Sequence, residues 1–214
     1  TDFRNGIDVM TTETTCLTSI WETDTSTKDY LTQHGRAADY KELNPDSVAY
    51  YDGALILDLS KVPSMVAMPF HPSNIYSINE LNANLPDIMN EIENTAKFQL
   101  GNPTAHLGLK EKVKNGGLMV DQAIIVGCSG GTYENISDAA DILEGSFVGT
   151  GGLGLSVYPS SQPINMAITK AGIAARLMGS GAIVRSAFCG PCFGAGEVPA
   201  NGALSLRHAT RNFP

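Results

Sequence analysis

No run of Lys or Arg occurs anywhere in these 214 residues, and basic side chains are outnumbered by acidic ones, 14 against 22, for a net charge of −8. Polyanion binding rests on clustered cations that displace counterions from phosphates, so this charge argues against nucleic acid as a partner and against an RNA-binding role. Long apolar runs are missing too. The longest, such as 122–127 and 182–184, fall far short of the ~20 residues of a membrane-spanning helix, which predicts a chain that does not cross a bilayer. Charged residues are only 17% of the chain, against 43% hydrophobic, a balance that supports buried cores and excludes a disordered or fibrous protein. An initiating Met, a signal peptide and a basic presequence are also absent. The chain opens on Thr1 and stops at Pro214, which predicts a fragment of a longer protein.

Cysteine is scarce, with four in all, and a chain of this size needs no disulfide staples. Two of the four stand as Cys189-Gly190-Pro191-Cys192. That spacing points to metal or redox chemistry in a reducing, cytoplasmic compartment.

The length suits two compact units. In the Thr-rich stretch 11–27, Leu17, Ile20 and Trp21 carry helical spacing, and a short polar helix is expected over 29–40. Residues 51–59 alternate and are rich in Leu and Ile, which predicts a half-buried strand. The Pro-rich segment 69–72 reads as a junction. Leu81, Leu85, Ile88, Met89 and Ile92 recur at helical spacing within 78–98, and 100–117 reads as a polar surface loop.

The last third is the most regular. Strands are expected at 121–127, 153–158 and 182–188, and helices at 134–143 and 164–178, with Ile164, Ile168, Ala171, Ala175 and Met178 on one side of the latter. Strands alternating with helices predict an α/β fold with a largely parallel sheet, helices on both faces, and ligands beyond the carboxyl ends of the strands. Cys128 and Cys189 both follow such ends.

Loops leaving neighbouring parallel strands can bring distant thiolates together, so Cys128, Cys189 and Cys192 suit an iron-sulfur cluster or a zinc ion. Three thiolates leave one position open for water or substrate. Cys128 alone would read as a small buried residue, but the Ser129-Gly130-Gly131 that follows it favours a bound group approached by backbone amides. Cys-Gly-Pro-Cys also occurs in thioredoxin-like dithiol enzymes. That fold needs most of its sheet after the motif, and here only 22 residues follow Cys192. A non-catalytic zinc or dithiol redox module is therefore the alternative to a cluster protein. Cys16 has no Cys or His at ligand spacing and is read as packing.

Several ordered blocks resemble the aconitase family of iron-sulfur hydro-lyases. The family's Gly-Ser-Cys-Thr-Asn followed by Ser-Tyr-Glu is similar to the block from Gly127 and Cys128 through Thr132, Tyr133 and Glu134. Its Ala-Cys-Gly-Pro-Cys-hydrophobic-Gly is similar to the block from Phe188 to Gly194, and its Asn-Arg-Asn-Phe resembles Thr210, Arg211, Asn212 and Phe213. Upstream, Met10 to Glu13 resembles Met-Gly-Ala-Glu, Tyr30 to Arg36 resembles Tyr-Leu-x-x-x-Gly-Arg, and Pro69 to Pro72 resembles Pro-Phe-x-Pro. The likeness spans nearly the whole chain and is weakest over 79–115.

The resemblance implies three-layer αβα domains with largely parallel sheets: residues 1–75 as part of a second α/β domain, and 76–214 as a third that carries the cluster ligands. It implies a [4Fe-4S] cluster on Cys128, Cys189 and Cys192, acting as a Lewis acid in the reversible dehydration of a hydroxy polycarboxylic acid. It also implies that Arg211 holds a substrate carboxylate and that Glu13 steers a proton near the cluster-bound oxygen. Arg207 and His208 either add positive charge for an anionic substrate or form a solvated face. The family's first and last domains, which carry the remaining active-site groups, are the implied partners, so the fragment alone is expected to be inactive. Departures stand at Val9 and Thr210, where the family has Asn, and at Ser129 and Gly130, where it has Thr-Asn. They predict a divergent hydratase.

Overall fold

The computed structural model describes residues 2–149 and 151–212. The chain divides after Val62 into two compact units, Asp2 being grouped with the second.

The stretch before that division holds α1 (Asp2–Asp8), a 3-10 turn at Val9–Thr11, and α2 (Thr25–Gln33). Asp24 begins α2 by a capping box, accepting the Thr27 amide at 3.0 Å while the Thr27 side chain turns back to the Asp24 amide. The Arg4 guanidinium donates to the same carboxylate and, with the Thr27 amide, holds Asp24 down at about 2. None of residues 3–62 is buried. Two expectations fail in this unit: no helix forms around Leu17, Ile20 and Trp21, and 51–59 forms no strand. A strand needs a neighbour for its amides and carbonyls and a surface for its apolar face. Leu55 and Ile56 have neither here and stand 93% and 95% exposed.

The second unit opens with an antiparallel hairpin, β1 (Met65–Ala67) and β2 (Ile75–Ser77), in which Val66 pairs with Tyr76. Two helices follow, α3 (Ile78–Ala83) and α4 (Leu85–Gln99), where the spacing predicts one. Ser77 caps α3 through the Glu80 amide, and Pro86 in the first turn of α4 fits only a fresh helix start. Leu81, Leu85, Ile88, Met89 and Ile92 are all buried, together with Met68 and Leu109, as their spacing requires. The short hairpin of β3 (Val113–Lys114) and β4 (Gly117–Leu118) comes next.

The main sheet contains β5 (Gln122–Ile125), β6 (Gly154–Val157), β7 (Ile183–Val184) and β8 (Ser205–His208), ordered β7-β6-β5-β8 and wholly parallel. Helices α6 (Tyr133–Leu143), α7 (Gln162–Lys170) and α8 (Ile173–Gly179) cover one face. Their Ile136, Ala140, Ile168 and Leu177 pack on Leu155, Val157, Ala123 and Ile125. The single helix expected over 164–178 is broken at Gly172, whose φ of +76° only glycine adopts without strain. The other face carries Ile124, Val126 and Tyr158, against which Cys192 and Ala209 pack. The fold is α/β. β8, absent from the sequence reading, completes the sheet on the far side of β5.

Candidate functional site

From β5 the chain steps outward to β6 and then β7, and it returns to place β8 on the opposite edge of β5. The strand order therefore reverses between β5 and β8, and in open parallel sheets the carboxyl ends at such a reversal form a crevice. Three cysteine-bearing or cation-bearing segments gather there. Cys128 lies in α5 (Gly127–Gly130), one short turn after β5. Arg211 lies three residues beyond β8, and the loop holding Cys189 and Cys192 connects β7 to β8.

The turn around Cys128 depends on close backbone approach. Gly127 has φ +83°, and a Cβ there would stand 2.5 Å from Cys192 Sγ. At Gly130 a Cβ would meet the His208 carbonyl at 2.2 Å, and at Gly131 the Tyr158 carbonyl at 2.3 Å. The Ser160 amide donates to Gly131 O at 2.7 Å, and Asn135 Nδ2 donates to Ser129 O at 2.6 Å, fixing the turn from both sides. The hydroxyl of Thr132, which precedes α6, is buried without a hydrogen-bond partner among the described residues.

Cys189 precedes a 3-10 turn at Gly190–Phe193 that contains Cys192. Cys128 and Cys189 are exposed, and Cys192 is half-buried. The side chain of Arg207, on β8, donates to the Pro191 carbonyl between the two cysteines, to Glu197 O at 3.3 Å and to Ser205 Oγ at 3.0 Å. The Glu197 carboxylate accepts from Ser156 Oγ at 2.6 Å and from the Tyr158 hydroxyl. Burial, followed by the neighbouring carboxylate, pushes Tyr158 up to about 12. Neither Arg207 as an anchor nor Glu197 was read as a site residue from sequence. A cleft of about 420 Å³ lies at the other, amino end of β5 and β6, lined by Gln122, Gly154, Glu197 and Asn201, and the cysteines are not part of it.

The three thiols bear on one another. Burial and then the proximity of Cys189 and Cys128 push the Cys192 thiol up to about 11, opposed by the positive charge of Arg211. Ionising Cys192 is thus resisted, and a cationic centre among the three sulfurs reverses that resistance. Among the described residues no three His, Cys, Asp or Glu are grouped so as to hold one metal ion. A single zinc ion takes every thiolate at about 2.3 Å, whereas a [4Fe-4S] cluster takes each on its own iron. Three neighbouring thiols, framed by glycines that admit no side chain, are a donor set that fits such a cluster.

Other expected residues are placed as follows. Asn212 Nδ2 donates to Met68 O at 2.9 Å and to His71 O at 3.2 Å, tying the Arg211 segment to the turn at 69–72. Desolvation lowers the pKa of His208. Glu13 is half-buried in a turn of the first unit, where its amide donates to Met10 O. Cys16 is exposed in that unit beside the Thr14 hydroxyl. Phe213 lies outside the described residues.

A family model described as Aconitase family (aconitate hydratase) matches residues 1–214. The chain belongs to the aconitase family. This aconitase-family chain is 28% identical over 213 residues to the 2,3-dimethylmalate dehydratase large subunit of Eubacterium barkeri, covering 99% of the chain and 42% of that protein. It is 29% identical to the 3-isopropylmalate dehydratase large subunit of Caldicellulosiruptor saccharolyticus, with the same coverage. It is 28% identical over 192 residues to 3-isopropylmalate dehydratase large subunit 1 of Methanopyrus kandleri, covering 89% of the chain and 37% of that protein. The chain thus spans about two fifths of the length of these curated relatives. No helix among the described residues is long and apolar enough to cross a membrane.

Proposed function

We propose that the chain is the cluster-bearing portion of an aconitase-family hydro-lyase that reversibly dehydrates a hydroxy dicarboxylic or polycarboxylic acid. The observation that carries this reading is the meeting of three thiols, from loops after two different strands, at the point where the strand order reverses. Cys128, Cys189 and Cys192 hold a [4Fe-4S] cluster in this proposal. When bound, that group supplies a Lewis-acidic iron without a protein ligand. Arg211 binds a substrate carboxylate with its permanently charged fork. Glu13 orients the hydroxyl and handles the proton as the C–O and C–H bonds break and water leaves. The remaining parts of the protein close the site and exclude solvent. The relatives' names specify alkyl-substituted malates, which makes a branched hydroxy diacid the first substrate class to try.

Anaerobic reconstitution with iron and sulfide is the test. About four irons per chain and brown visible absorption are expected for the wild type, and both are lost in Cys189→Ser. A colourless wild-type chain that retains one zinc overturns the proposal.

A further inference from the structure

The segment from Cys189 to Ala203 contains one short 3-10 turn and no strand, yet it carries two of the three thiols. Irregular chain with few backbone bonds opens easily and does not by itself keep two sulfurs in register with a third on another loop. Its backbone bonds near the cysteines are local: Cys192 N to Cys189 O at 3.1 Å, and Ala195 N to Gly190 O at 2.8 Å. They shape the turn without attaching it to the sheet.

We propose that Arg207 and Glu197 are positioning residues that clamp this loop to the sheet from two strands and set the separation of the Cys189 and Cys192 thiols from Cys128. The inference rests on the cluster reading for its purpose, but not for its geometry. Arg207 spends its guanidinium on four acceptors: the Pro191 carbonyl, the Glu197 carbonyl, Ser205 Oγ and, at 3.5 Å, Gln122 Oε1 on β5. A planar five-donor fork serves all four at once; a three-donor Lys ammonium on the same strand cannot. Its first acceptor lies between the two cysteines, and its second lies five residues past Cys192. Glu197 then fixes that second point to β6 through Ser156 Oγ and the Tyr158 hydroxyl. The loop is held at 191 from β8 and at 197 from β8 and β6 together. Charge-assisted bonds of this kind are about twice as strong as neutral ones.

Differential alkylation of the metal-free chain, read cysteine by cysteine by mass spectrometry, tests the clamp without requiring a cluster. In Arg207→Gln, Cys192 is expected to react about tenfold faster, as befits a loop that has lost a charged anchor. Cys128 should stay within about twofold, and iron uptake on reconstitution should fall. Glu197→Gln keeps one acceptor oxygen and should give a smaller increase, while Lys170→Gln, on the exposed side of α7, should give none. Where Arg207→Gln does not fold, Arg207→Lys carries the same comparison, because it keeps charge and stem and loses the fork. Unchanged Cys192 reactivity in a folded variant overturns the clamp, whatever the iron content. A wild type that takes no iron but whose Cys192 is freed by Arg207→Gln upholds the clamp and removes the cluster reading.

Discussion

Glu93 shows how one carboxylate can organise a segment with no secondary structure. It sits on the apolar stripe of α4, one turn after Met89 and next to Ile92, and it is 6% exposed. Its oxygens accept the amides of Leu107 at 3.2 Å, Gly108 at 3.3 Å and Leu109 at 3.1 Å, and His106 Nδ1 at 2.6 Å. The stretch expected to be a polar surface loop is folded onto the helix instead, with Leu109 buried in its core. Burial raises the Glu93 pKa, but the Gly108 and Leu109 amides, followed by His106, outweigh it and leave the carboxyl below its ordinary value. A carboxyl depressed in the folded state stabilises fully above its unfolded pKa, and that stability is lost as pH falls through the folded value. Glu93→Gln should therefore cost about 1–3 kcal/mol at pH 7, the cost of buried amides left short of acceptors. In urea melts the gap to wild type should narrow as pH drops below about 4.5. A gap constant from pH 7 to pH 3 would show that the charge does not matter.

At the scale of elements, the turn after β5 is the tightest piece of the fold. A Cβ at Gly131 would meet Tyr158 O, Ser160 N and Gly127 O, all at 2.9 Å or less and all backbone, which cannot swing aside. Gly131→Ala should cost about 1–3 kcal/mol by overpacking and should lower iron uptake more than Lys170→Gln does. Full stability and full iron content would contradict the close approach. The glycines after Cys128 were legible for this reason, since Gly-rich chain between a strand and a helix signals backbone proximity. Legible too were α4 and α6, whose apolar residues recur every three or four positions along enough turns to stand out. Less legible were the interruptions at Asn84 and Gly172: at Asn84 the apolar stripe stays in phase across the break, whereas at Gly172 it shifts, so that Ala171, Ala175 and Met178, expected on the buried side, are exposed and Ile173, Ala174 and Leu177 are buried instead. Strand β8, with Ser205 and Arg207 on one face and the half-exposed Leu206 between them, has no apolar alternation to betray it. Arg207 and Glu197 were hidden for the same reason, since their roles depend on what lies opposite them and on no periodicity of their own.

On the scale of the whole chain, the two units differ in kind. The second has buried clusters around α4 and between α6, α7, α8 and the sheet, while residues 3–62 bury nothing. The misread strand at 51–59 follows from that difference: alternation signals a face that wants a partner, and within this unit none is supplied. The chain spans about two fifths of its relatives, so the remaining protein is the proposed cover for Leu55 and Ile56. Two experiments follow from this reading. In the present chain, Ile56→Asp removes no contact and should shift stability by less than about 0.5 kcal/mol, whereas Leu177→Ala, fully buried, should cost about 2–5 kcal/mol. In the full-length protein the same Ile56→Asp should cost several kcal/mol, because a charge would then be buried without a partner. Chemical denaturation of the two lengths side by side measures the contrast, and an Ile56→Asp as harmless in the long protein as in the short one would mean that this apolar strip stays uncovered.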